Sequence, residues 1–178
     1  PAHTSLAALC DWRALGVVTI FSASQSYAMM GWRIGFALAP MPLVAAMQTL
    51  QGPITAAASH LAQVATVAAF DAGVQRHMID DYRERRDLVV RQFRDLPWIV
   101  MHSPDSGPYL WGDVRALTED TVGFSEALID EESVAIMPGD ALGVPGFIRI
   151  GYISDDIATL MEGVRRVIAF GNRRAAQR

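Results

Sequence analysis

The chemistry open to this chain is bounded first by a missing amine. No lysine occurs in its 178 residues, and all 15 basic side chains are arginines, which stay protonated and act as neither nucleophile nor proton acceptor near neutrality. In the polar stretch Ser22-Ala-Ser24-Gln25-Ser-Tyr27-Ala-Met-Met-Gly31-Trp-Arg33, Gln25 offers only an amide, whose nitrogen lone pair is delocalised into the carbonyl. Tyrosine and histidine side chains are the candidate acid or base groups. His102, near Asp105 and Tyr109 in sequence, is a candidate general acid or base, whereas His60, inside an apolar run, reads as a core or interface histidine. Four scattered histidines and the single Cys10 give no metal-ligand spacing, so no metal site is expected. Cys10 reads as a packed thiol, and its solitude fits a reducing cytoplasm. Arg149 stands in the apolar run Phe147-Ile-Arg149-Ile-Gly-Tyr152. A guanidinium there needs a carboxylate, supplied by a ligand or by a protein group such as Asp113 or Asp140. Were Pro1 the true N-terminus, its secondary amine would be the one amine left; the alternative is an arbitrary boundary.

These residues need elements to carry them. Val17 to Phe21 reads as a buried strand and Trp32 to Ala39 as a second, stopped by Pro40 and Pro42. Leu43 to Leu50 and Ala56 to Phe70 read as helices, the latter apolar nearly all round and so expected to be enclosed on most sides. Val74 to Leu96 is a long amphipathic helix with Met78, Tyr82, Val89, Phe93 and Leu96 on one stripe; Asp81/Arg85 and Asp87/Arg91 are set for i,i+4 pairing, and Arg83 to Asp87 reads as a solvated face. Beyond Pro97 come short strands, Trp98 to Met101, Tyr109 to Val114, Val134 to Met137 and Phe147 to Tyr152, alternating with helices near Gly123 to Glu132 and Asp155 to Phe170. Ser154 is the expected N-cap of the last helix, with Asp155 and Asp156 in its first turn, and Asn172 to Arg178 the expected frayed tail.

Composition excludes several classes. A net charge of -4 without a basic run gives nucleic-acid binding no support. The most apolar stretch, Ala56 to Phe70, is too short for a bilayer span and is interrupted by Ser59, His60, Gln63 and Thr66, so no membrane association is expected. The start, Pro-Ala-His-Thr, lacks a basic region before an apolar core, and no signal peptide is expected. With 51% hydrophobic residues the chain can bury a core of its own.

The stretch Ser22 to Gly35 resembles the cofactor-lysine signature of the class I/II aminotransferases, fold type I enzymes that use pyridoxal 5'-phosphate, at every characteristic position except the lysine, which is Gln25. The resemblance runs in order through nearly the whole chain. His3-Thr-Ser-Leu-Ala-Ala-Leu9 looks like the segment before the lysine strand, Ser106-Gly-Pro-Tyr-Leu-Trp-Gly-Asp113 like the first small-domain strand, and Val134-Ala-Ile-Met-Pro-Gly139 and Phe147 to Tyr152 like the closing strands.

That resemblance implies an α/β to α+β chain: residues 1–97 a remnant of the large domain with a connecting helix, 98–171 an α+β small domain, and 172–178 a tail. Carried over by position, Ser22, Ser24 and Arg33 would hold the cofactor phosphate, and Arg149 the substrate carboxylate; hydroxyl plus guanidinium suits a phosphate, and a forked guanidinium suits a carboxylate. Arg33 could instead be satisfied by backbone carbonyls. Gln25, Tyr27, His102 and Tyr109 are the candidate catalytic positions. No covalent cofactor is expected, because Gln25 cannot form the family's imine to pyridoxal phosphate; residual non-covalent binding of that cofactor or another anion stays open. The resemblance also places the chain after roughly the first half of the family's length, so most neighbours of the first two strands would be absent. A homo-oligomer, plausibly a dimer, or a partner chain supplying those strands is the expected consequence.

Three functions fit. One is a repurposed enzyme of specialised metabolism, independent of pyridoxal phosphate, acting on a small carboxylate-bearing substrate. The second is a non-catalytic pairing partner of a full-length aminotransferase. The third is a fragment, or a lysine-to-glutamine variant, of an ordinary one.

Overall fold

The computed structural model describes residues 3–71, 74–154 and 156–178, so Pro1 and Asp155 lie outside the description. They divide into two compact units, Pro1–Met78 and Ile79–Arg178. Sequence texture put the boundary at residue 97. It falls earlier because most of the long helix, through Tyr82, Val89 and Phe93, packs into the core of the second unit.

In the first unit, β1 (Thr19–Ser22) pairs antiparallel with β2 (Gly35–Leu38), Ser22 opposite Gly35. The strands are shorter than expected because residues 30–32 form a 3-10 turn, and Arg33 is left-handed at φ 51°. Gly35 is required where it stands, since a Cβ there would lie 2.6 Å from the Phe21 carbonyl oxygen. The short α1 (Ala23–Ser26) opens the connection between the strands. Pro40 precedes α2 (Met41–Thr55) and Pro42 sits in its first turn, where a proline's missing N–H costs nothing. The helix carries on through Gly52 and Pro53, beyond the expected end at Leu50.

Next comes α3 (His60–Asp71), where enclosure was expected. The correction is that, among its described side chains, only Ala62 and Thr66 are buried, while Leu61 is 69% exposed and Val64, Val67 and Phe70 are also exposed. Its all-round apolar character calls for cover that the unit does not supply. His60, at its start, is exposed as well.

Linking the units in sequence is α4 (Val74–Phe93). The second unit continues with β3 (Val100–His102), β4 (Tyr109–Asp113), α5 (Thr121–Glu132), β5 (Met137–Pro138), β6 (Phe147–Gly151) and α6 (Ile157–Ala176). Its strands form one antiparallel sheet in the order β3-β4-β6-β5. Strand alternation points Leu110, Ile148 and Ile150 into a core with Val89, Phe93, Trp98, Leu128, Val167 and Phe170. Phe93 meets Trp98 edge-on at 6.5 Å, and Phe124 meets Phe170 at 5.1 Å. At Gly112 a Cβ would come within 2.8 Å of Ile99 Cδ1, so glycine lets the sheet seat closely on that core.

Three local expectations change. Asp156, not Ser154, caps α6, accepting from the Ala158 and Thr159 N–H groups at 2.9 and 2.7 Å. The supposed tail is helical to Ala176, tied down by Trp98 Nε1 donating to Asn172 and by Arg173 and Arg174 pairing with Glu132 and Glu131. On α4 the i,i+4 pairs do not form. Arg83 pairs with Asp80 and Arg86 with Asp87, while Arg85 donates to the Ser154 carbonyl and Arg86 also to that of Pro104, so this half-buried part of the helix braces two loops.

Candidate functional site

The two groups of candidate residues lie in different units. In the first, the connection between β1 and β2 is closed at its base by the Ala23 N–H donating to the Ile34 carbonyl at 3.2 Å. This places Ser22 and Arg33 at the same end of the hairpin, with Gln25 between them in sequence. Ser22 Oγ accepts from the Ser24 N–H at 3.2 Å, which nucleates α1, and its own O–H remains available to donate. Ser24 is buried. Gln25 is exposed, so an amide rather than an amine is presented to solvent. Arg33 is exposed; its Nη1 donates to the Met30 carbonyl at 2.9 Å, and its other N–H groups carry no bond among the described residues. One donor is thus satisfied by a backbone carbonyl, as one of the two sequence readings expected. Tyr27 is half-buried against Phe70, ring centroids 5.1 Å apart, which makes it a packing residue of the unit.

The exposed Ser22 hydroxyl and Arg33 fork suit a phosphate group, but no residue supplies the amine that would fasten an aldehyde cofactor. This end of the hairpin thus offers donors of the kind a phosphate accepts from, and an amide at Gln25 in place of an amine. One cavity of the unit, about 380 Å³ and lined by Ser5, Trp12, Thr19, Phe21 and Leu38 among others, includes none of Ser22, Gln25 or Arg33. It is an apolar hollow rather than an anion site.

In the second unit, cross-strand register assembles what the sequence leaves apart. His102 on β3 faces Trp111 on β4, Trp111 faces Arg149 on β6, and Arg149 faces Met137 on β5, a single row on the sheet face away from the core. Tyr109, two residues before Trp111 on β4, shares that face, and the Arg149 guanidinium carbon stands 4.2 Å over its ring centroid. Neither aspartate expected as a protein partner of Arg149 serves. Asp113 is bound bidentately by Arg115, Nε at 3.0 Å and Nη2 at 2.6 Å, which holds its carboxyl below the usual range. Asp140 accepts from the Thr121 hydroxyl. Among the described residues Arg149 takes part in no hydrogen bond or ion pair, and its charge is met by an aromatic face. His102 is exposed at the row's outer end, separated from Arg149 by a whole strand, so the two do not form a catalytic pair within this sheet.

Sequence reasoning missed the rings beside Arg149. Trp111 and Phe147 stack at 5.5 Å with 15° between planes, and Arg115 lies 5.1 Å over Phe147. The signal was present as a period of two: Tyr109, Trp111 and Asp113 alternate with Leu110 and Gly112, as Phe147 and Arg149 do with Ile148 and Ile150. Tyr152, by contrast, is buried, with its hydroxyl donating to the Gly107 carbonyl, and burial pushes its phenol up. A second cavity, about 450 Å³ between α5 and the end of α6, is lined by Asp120, Phe124, Phe170, Arg174 and Arg178 among others and contains no candidate site residue.

With this geometry in place, the comparisons with known proteins are specific. Residues 5–167 match the family described as aminotransferase class I and II. Over 181 aligned residues the chain is 34% identical to a bifunctional aspartate aminotransferase and glutamate/aspartate-prephenate aminotransferase of Petunia hybrida, covering 93% of this chain and 37% of that protein. It is 31% identical to an aspartate aminotransferase of Streptomyces avermitilis, covering 84% and 39%. Among solved structures, the aspartate aminotransferase of Rhizobium meliloti superposes with a TM-score of 0.76 at 29% identity, over 88% of this chain and 42% of that one. The chain thus spans about two fifths of the length of the relatives it matches, and its two units reproduce part of a fold type I aminotransferase. Among the described residues no helix is long and apolar enough to cross a membrane, and no cluster of three or more potential metal ligands occurs.

Proposed function

The chain belongs to the class I and II aminotransferases, and from that premise we propose that it is a degenerate member, unable to fasten pyridoxal phosphate covalently, that works on a small carboxylate-bearing molecule without that cofactor's chemistry. The observation that carries the reading is a pair of facts about side chains. The exposed position on α1 that calls for an amine holds Gln25 in a chain without lysine, while no carboxylate among the described residues pairs with Arg149, a guanidinium suited to one. Binding survives where the covalent anchor does not.

In this reading Arg149 fixes the carboxylate bidentately, Ser22 and Arg33 keep an anion contact, and Tyr109, against the guanidinium, is the acid or base group beside it, while His102, a strand away, stays outside that pair. Transamination by the chain alone is not part of the proposal. The test is chemical. The protein is mixed with pyridoxal phosphate, reduced with borohydride and weighed intact. The expected result is an unmodified side-chain complement; a stable pyridoxyl adduct mapped to a side chain overturns the proposal.

A second reading is favoured by a separate observation, the exposed apolar surfaces of the first unit: there the chain pairs with a second copy or with a polypeptide that completes the family's length.

A further inference from the structure

We propose that the cavity between α5 and the end of α6 is a second ligand site, shaped for a small zwitterion with an apolar side chain: a free α-amino acid such as leucine, held as an effector away from Arg149. The proposal uses no residue of the carboxylate reading and is tested apart from it.

The cavity measures about 450 Å³, inside the range of about 300 to 1,000 Å³ usual for small-molecule pockets. Its floor is carbon. Leu117 and Phe124 are buried, Phe170 is fully so, and Ala127 on α5 is the small residue that leaves the space open. Arg174 also lines the cavity, but it lies over the Phe170 ring at 4.9 Å and pairs with Glu131, so its charge is already met. Three of these wall residues, Phe170, Arg174 and Arg178, stand beyond residue 167, where the family match ends. The cavity is thus partly built by chain that the family description does not cover.

The polar part of the lining carries opposite charges. Asp120, the N-cap of α5, accepts from the Gly123 N–H through Oδ1 at 2.9 Å, and its Oδ2 has no partner among the described residues. Gly123 leaves room for that oxygen, since a Cβ there would lie 2.5 Å from it. Arg178 donates from Nη1 to the Ala116 carbonyl at 2.8 Å, which ties the end of α6 to the loop before α5. Its other side-chain N–H groups carry no bond among the described residues. Asp120 and Arg178 therefore line one cavity without pairing with each other. A ligand that bears both an ammonium and a carboxylate offers each of them a charge-assisted hydrogen bond. An acid without the ammonium meets Arg178 but faces the Asp120 carboxylate, and an amine without the carboxylate meets the reverse. The apolar side chain of the ligand then lies on Leu117, Phe124 and Ala127 and gains burial.

The experiment is a ligand-observed NMR titration of the full chain with leucine, glycine, 4-methylpentanoate and 3-methylbutylamine. Leucine is expected to bind about fivefold tighter than the acid or the amine, each of which lacks one charge. It should bind about tenfold tighter than glycine, which lacks the side chain. Asp120→Asn keeps a good helix cap and should remove the advantage of leucine over 4-methylpentanoate. Ala127→Leu, which fills the floor, should abolish leucine binding, whereas Arg149→Gln should leave it unchanged. Circular dichroism confirms that each variant is folded, and Ala127→Met replaces Ala127→Leu if the latter is not. Leucine binding that is no tighter than that of 4-methylpentanoate, that ignores Asp120→Asn or that persists in the filled variant overturns the proposal, as does no binding at all. Leucine binding lost in Arg149→Gln puts the ligand on the sheet face, which overturns this site and leaves the carboxylate reading standing.

Discussion

Trp98 is 2% exposed, and its indole N–H donates to Asn172 Oδ1 at 2.8 Å. The ring lies over Gly171, where a Cβ would sit 2.2 Å from Trp98 Cζ2, so a glycine and an amide in the last helix hold the tryptophan that opens the sheet lobe. A buried donor left without its acceptor costs about 1 to 3 kcal/mol, and Asn172→Ala should destabilise the protein by that much in urea denaturation. In a Trp98→Phe background, which has no N–H to satisfy, the same substitution should cost almost nothing. A full effect in both backgrounds would show that Asn172 acts through something other than this bond. Arg149 illustrates the opposite case, a charged group whose partner among the described residues is an aromatic ring.

Helix α6 is shaped by charge at several points. Asp156 caps its start, and along its exposed side Glu162 accepts from Arg165 at 2.7 and 2.8 Å and from Arg166 at 2.8 Å. Those hydrogen bonds, Arg165 first, hold the Glu162 carboxyl at about 2 instead of its usual 4.5. A carboxyl depressed in the folded state contributes stability above its unfolded value and loses it as pH falls through the folded one. The melting temperature of the wild type should therefore exceed that of Glu162→Gln near neutrality, and the gap should close as pH drops from 4.5 to about 2. Because the pairs are solvent-exposed, the gap should be small and should shrink in high salt. A gap constant across that pH range would mean that the glutamate acts through shape and not through charge.

For the whole molecule, the two units differ in kind. The second has a closed core around Leu110, Ile148 and Phe170. The first exposes apolar side chains on both strands and on α2 and α3: Ile20 is 79% exposed and Leu38 57%, α2 buries no residue, and α3 buries only Ala62 and Thr66 among its described side chains. Its two-stranded sheet also leaves strand edges unpaired among the described residues, and edges of this type recruit other chains. Patches beyond a few hundred Å² are seldom tolerated on soluble monomers. Light scattering at micromolar concentration should accordingly give a mass above the 19.4 kDa of one chain. A stable monodisperse species at that mass would require the first unit to have rearranged.

The sequence by itself determined the family, the absence of any side-chain amine, and the existence and order of most elements. Each rests on residue identity or on local periodicity, which need no knowledge of neighbours: Gln25 is an amide in any fold, and the alternation in Tyr109 to Asp113 makes a strand in any sheet. Helix ends were less legible, because Asn172 to Arg178 is ordered by partners at Trp98, Glu131 and Glu132, far away in sequence. Only the tertiary structure decided what surrounds Arg149. The aspartates that sequence offered it are spent on Arg115 and Thr121, while sheet register brings Tyr109, Trp111 and Met137 to it from two other strands. It likewise decided that the most apolar helix, α3, is largely uncovered. Hydrophobicity states the demand for burial, but which surface meets it depends on elements that periodicity along one strand or helix does not locate.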